Sequence, residues 1–186
     1  MTLPFDLAVL PDVSRHLPMQ AVYALTLWVV LAGAMVLAWR PLTRRTGWAP
    51  RPTLALLVWT GLVLALTLPT TVEPGTGARL ANCLADPAAG ASGMVRTFGA
   101  RGVEDVMNVV LWVPCGLFAV LATRRAVAAP AAVAGGFVVV EFVQTLDPGR
   151  WCDPGDWAFN SFGVAVGAVA AAAFLRLRRR GNVRLT

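Results

Sequence analysis

Five apolar stretches constrain this chain more than any other feature. They cover residues 20–39, 53–69, 106–122, 127–146 and 157–175. At a rise of 1.5 Å per residue, about 20 helical residues cross a hydrocarbon core about 30 Å thick. The first stretch ends at Arg40-Pro41, the third at Arg124-Arg125, and the fifth at an arginine-rich tail. The second and third are short, a length that a buried helix of a soluble protein also has. Five in succession favour the bilayer. The chain is 57% hydrophobic and 14% charged, whereas soluble domains are about 25% charged. The expectation is an all-α, polytopic transmembrane helix bundle of about five spans, forming a single membrane domain over residues 1–186.

Two segments outside the spans matter. Residues 1–19 carry Asp6 and Asp12 in place of a basic leader, so the first span does not read as a cleavable signal peptide. Residues 3–13 are apolar enough to lie along a membrane surface. Residues 70–104 form the longest connection, and loops of that length are usually functional or irregular.

Charge predicts the sidedness. Arginine accumulates on the cytoplasmic side of membrane proteins. Arg40, Arg44, Arg45 and Arg51 lie between spans one and two, and Arg124 and Arg125 between spans three and four. Arg176, Arg178, Arg179, Arg180 and Arg184 lie in the tail, a basic cytoplasmic segment over residues 176–186. No acidic residue falls in these three segments. The N-terminus is therefore expected outside and the C-terminus inside. A pI near 10.9 would permit nucleic-acid binding, but the arginines flank apolar runs and do not line an amphipathic surface, so nucleic acid is not an expected partner. Tryptophans are read as interfacial anchors, with Trp39 and Trp48 at the inner face and Trp151 and Trp157 at the outer.

The three cysteines divide in the same way. Cys115 lies inside span three and reads as a packing residue. Cys83 and Cys152 fall in connections assigned to the outside, where disulfides persist, and a bridge between them is expected. His16 is the only histidine and no CxxC is present, so neither a metal nor a cofactor is expected.

Ionisable residues within membrane spans are costly and are candidates for function. Glu141 and Gln144 share a face of span four. Asp156, Asn160, Gly163 and Gly167 form one stripe along span five, and Asn108 opens span three. With this sidedness all of them approach the outer third of the membrane, below Arg101 and Arg150. Three readings are open: a hydrogen-bonded lock between helices, a ligand site, or an acid–base site. Gly163 and Gly167, spaced GxxxG, permit close helix approach. Asp156, just before span five, reads as an N-terminal cap.

At these residues the sequence resembles the VanZ-like family, named for a teicoplanin-resistance protein. One block is Glu104-Asp105-Val106-Met107-Asn108 followed by Trp112-Val113-Pro114-Cys115-Gly116. The second is Glu141-Phe142-Val143-Gln144, Arg150, Asp156, Asn160, Gly163 and Gly167. The resemblance covers residues 101–170, a VanZ-like core. Trp112 stands where the family usually has Phe, and Arg101 stands farther upstream than the family's Arg-Asp pair. The resemblance implies a multi-pass protein of the bacterial cell membrane, linked in some members to reduced glycopeptide susceptibility, with Pro114 and Gly116 in helix packing.

The expected function is to bind, or alter access to, a lipid-linked cell-envelope precursor in the outer leaflet. Arg101 and Arg150 would meet its phosphate or carboxylate, while Asn108, Glu141, Gln144, Asp156 and Asn160 would orient it. An enzyme using Glu141 or Asp156 as acid or base is the alternative. It is disfavoured because no nucleophile–base pair or metal-ligand set accompanies them. An assembly role through the GxxxG face and the long outer loop is a third reading, with membrane lipids as the remaining partners.

Overall fold

The computed structural model describes residues 10–69, 103–144 and 154–183, and among these the chain is helical with no strand. Five helices follow in order: α1 (Leu10–Thr46), α2 (Pro50–Thr67), α3 (Val103–Thr123), α4 (Ala128–Gln144) and α5 (Pro154–Val183). Four are long and apolar enough to cross a membrane by length and composition, and α4 is a shorter apolar helix of 17 residues. That is about 25 Å of helix. Helices suit this setting because each satisfies its own backbone hydrogen bonds, which hydrocarbon cannot do.

Several boundaries differ from expectation. α1 starts at Leu10, so residues 10–13 belong to the first helix and are not a separate segment. It also continues through Pro41 to Thr46, where Arg44 and Arg45 lie in the last turn. Cations there complement the exposed carbonyl end of the helix. α2 starts at Pro50, whose missing N–H costs nothing at the first helical position. α5 runs on through Arg176–Arg180 to Val183, making that part of the basic tail helical. Asp156 is not the N-terminal cap: α5 begins at Pro154, which puts Asp156 inside its first turn.

α1 and α2 form an antiparallel hairpin. Gly47, at φ +69°, makes the left-handed turn that ends α1, and its N–H bonds Thr43 O at 2.9 Å. Trp28 Nε1 reaches Val58 O at 3.4 Å, and Tyr23 Oη reaches Pro69 O at 3.3 Å. The rest of α1 exposes large apolar side chains, with Leu37 80% exposed. In water this would be a liability, whereas in lipid it is the favoured state.

The backbone at Ala49 ties the start of α2 to the end of α3, donating to Ala122 O at 2.9 Å. Arg124, also left-handed at φ 61°, turns the chain from α3 into α4. α3 and α5 make the most extensive contact in the molecule. They run in the same direction, because Gly163 lies on Val109 and Gly167 on Val113. The arginines at positions 40–51, 124–125 and 176–180 therefore gather at one end of the bundle, while Glu141 and Asp156 lie toward the other.

Tryptophan departs furthest from expectation. Trp112 is no interfacial anchor: it is 1% exposed, the largest fully buried side chain, in a core cluster with Val63, Cys115, Phe137 and Val164. Its ring packs on Phe137 of α4 with centroids 3.5 Å apart. Trp59 packs against the same cluster and donates to Leu111 O at 2.8 Å. Pro114 lies in the same helix and has no N–H to return to the carbonyl of Val110, one turn before it.

Candidate functional site

The site is built on the ends of α3, α4 and α5 remote from the arginines. On α4 the buried residues are Phe137, Glu141 and Gln144, spaced four and three apart and so on one face. The opposite face, with Val138 and Val139, is exposed. α4 is thus apolar outside and polar inside, the reverse of a helix on the surface of a soluble protein. Glu141 and Gln144 are each 8% exposed, and Asn160 of α5 is 6% exposed.

Two hydrogen bonds between polar side chains join these helices at the site. Asn160 Nδ2 donates to Glu141 Oε1 at 3.2 Å, linking α5 to α4. Asn108 Nδ2 donates to Asp156 Oδ1 at 3.2 Å, linking α3 to α5. Asp156 and Asn160 are one turn apart on α5, so the two pairs are adjacent and α5 stands between the other helices. A carboxylate only accepts, so the Asn160 amide turns its NH₂ toward Glu141 and its oxygen away. Among the described residues that oxygen, Asn160 Oδ1, is buried without a hydrogen-bond partner. An acceptor in this state costs about 1–3 kcal/mol.

The expected site residues thus separate into three groups. Glu141 with Asn160 and Asn108 with Asp156 are brought together. Gln144 is buried one turn beyond Glu141 on the same face of α4. Arg101 and Arg150 lie outside the described residues, as do Cys83 and Cys152, so neither the arginine contacts nor the disulfide is among the observations. The described cysteine, Cys115, is a buried free thiol.

Below the polar pairs α3 and α5 touch backbone to backbone. A Cβ on Gly116 would collide with the Val164 carbonyl, one on Gly163 with Val109 O, and one on Gly167 with Val113 O. Only glycine admits such an approach. It sets the depth at which Asn108 meets Asp156.

Some residues were missed by sequence reasoning. Ser161 Oγ is buried without a partner among the described residues, beside a cavity of about 360 Å³ between α4 and α5 that is otherwise lined by alanine, valine and proline. A hydroxyl among alanines and valines was the available signal, but it lies off the Asp156–Asn160 stripe. Thr53, 0% exposed, bonds Ala49 O at 2.8 Å, and this self-satisfied hydroxyl has no distinguishing sequence mark.

The motif positions that make these contacts fall within a larger match. A family model described as VanZ/LLP1 matches residues 21–176, most of the chain. The chain belongs to the VanZ/LLP1 family. No curated protein matches it, and neither does any solved structure. In this VanZ/LLP1 protein the two motif blocks of the sequence meet in space: Asn108 and Gly116 from the first, and Glu141, Asp156, Asn160, Gly163 and Gly167 from the second. With its apolar helices, it is a multi-pass membrane protein.

Proposed function

We propose that this protein resides in the bacterial cell membrane and binds, or alters access to, a lipid-linked cell-envelope component. In doing so it would lower susceptibility to glycopeptides of the teicoplanin type. The observation that carries this reading is the buried, unpartnered Asn160 Oδ1 beside Glu141. An acceptor held in that state is matched by a ligand's hydroxyl or amide N–H, groups that a glycosylated or peptidyl lipid headgroup supplies in number. The arginines at the opposite end support a cytoplasmic position for that end, which puts the site toward the outer leaflet. Arg101 and Arg150, which the sequence pattern assigns to the same side, are the groups proposed for a phosphate or carboxylate of that ligand.

The test replaces Glu141 with Gln and Asn160 with Leu, singly, and measures teicoplanin susceptibility at matched protein levels. Both variants are expected to lose the protective effect of the wild-type chain. If both protect as well as wild type at equal abundance, the site has no such role. If protection falls only in proportion to folded protein, the polar pairs are a helix lock and the ligand reading fails.

A further inference from the structure

A second cavity, of about 310 Å³, lies at the arginine-bearing end, where the start of α2, the end of α3 and the start of α4 come together. Its walls are mostly apolar, including Leu56, Ala128 and Ala132. Trp48 and Thr123 also line it, and a single charged residue, Arg125, does so too. Its rim is stitched. Arg125 N–H bonds Thr123 Oγ1 at 3.1 Å, Thr123 Oγ1 bonds Ala119 O at 2.8 Å, and the Ala49 N–H to Ala122 O bond holds the chain beside Trp48 in place.

No described acidic side chain lies at this end. Among the described side chains the acidic ones are Glu141 and Asp156, and both lie toward the opposite end. α4 begins at the cavity with no acidic residue in its first turn, so the positive end of its helix dipole adds to the Arg125 guanidinium. An exposed cation above an apolar slot, with an indole at the same level, matches the parts of a phospholipid. The phosphate meets the guanidinium, the glycerol region meets the tryptophan, and an acyl chain fills the slot.

We infer that this cavity seats one anionic phospholipid of the leaflet at the arginine-bearing end, with its phosphate on Arg125. The site is independent of the Glu141–Asn160 pair, and its occupant is a membrane lipid and not free phosphate, because the larger part of its wall is apolar.

The full chain, purified in detergent, is titrated with phosphatidylglycerol or phosphatidylcholine, and bound lipid is read by native mass spectrometry. Wild type is expected to retain one phosphatidylglycerol in preference to phosphatidylcholine. Arg125→Gln, a change at an exposed side chain, should weaken that retention at least about tenfold, in keeping with loss of a charge-assisted bond. Ala132→Phe fills the slot and should do the same, whereas Arg178→Gln, on the α5 tail, should leave retention unchanged. Inorganic phosphate should not displace the lipid. Unchanged retention in both Arg125→Gln and Ala132→Phe overturns the site. An Arg178→Gln loss as large as that of Arg125→Gln overturns it in favour of diffuse charge attraction, and displacement by phosphate overturns it in favour of a free-anion site.

Discussion

α5 packs against two helices in two different ways. Toward α3 it offers Gly163 and Gly167, which receive α3 backbone directly, while Gly116 of α3 receives Val164. No side chain intervenes that could rotate aside. Toward α4 it offers Ser161, Ala165, Ala168 and Ala172, and these leave a cavity of about 360 Å³. Among the bonds that join α4 to α5 are one from Asn160 to Glu141 and another from Trp157 Nε1 to Ala134 O at 3.1 Å. In lipid the hydrophobic effect does not drive helices together, so close packing and polar bonds are what remain. The first interface uses packing and the second relies more on polar bonds. α3 and α5 therefore form the rigid frame, and α4 is the helix whose position the polar site can influence.

Exchanging a small residue for a large one on each face of α5 gives the sharpest contrast. Gly167→Leu drives a side chain into the backbone of α3 at Val113 and Leu117. It is expected to abolish recovery of monodisperse protein after detergent extraction, and recovery at wild-type yield would break the comparison. A smaller effect is expected from Asn160→Leu, which removes the bond to Glu141 Oε1. Stability should fall by about 1–3 kcal/mol, read as a lower midpoint of thermal unfolding in detergent. A midpoint equal to wild type would show that this bond does not hold α4. The smallest effect is expected from Ala165→Leu, which projects into the α4–α5 cavity. Stability should stay within about 0.5 kcal/mol of wild type, and a loss as large as that of Gly167→Leu would mean that both faces are equally close-packed.

Much of the fold was legible because membrane insertion reads a segment's length and apolarity. The helices lie on the stretches expected, displaced mainly at their ends. The ends moved because the apolar run stops at Arg40-Pro41 and resumes at residue 53, whereas α1 passes through Pro41 to Thr46 and α2 already begins at Pro50. The site was legible in part. Spacing placed Glu141 with Gln144 and Asp156 with Asn160, since neighbours on a helix face follow from its period. Spacing within one helix does not say which residue of another helix it meets. That Asn160 takes Glu141 and Asn108 takes Asp156 depends on how deep α3 and α5 interpenetrate. Trp112 shows the same limit: its composition suits a membrane interface, and only its place between α4 and α5 makes it core.

By itself, the amino-acid sequence determined that the chain forms apolar helices, with arginine clusters after the first, third and fifth, and it marked the polar residues within them. Those outcomes depend on transfer of each segment from water, a property local to that segment. The tertiary structure decided the partners: a parallel α3–α5 pair in backbone contact, a looser α4, and an Asn160 oxygen left without a donor. These depend on distances between atoms far apart in the chain, which only the packed bundle sets.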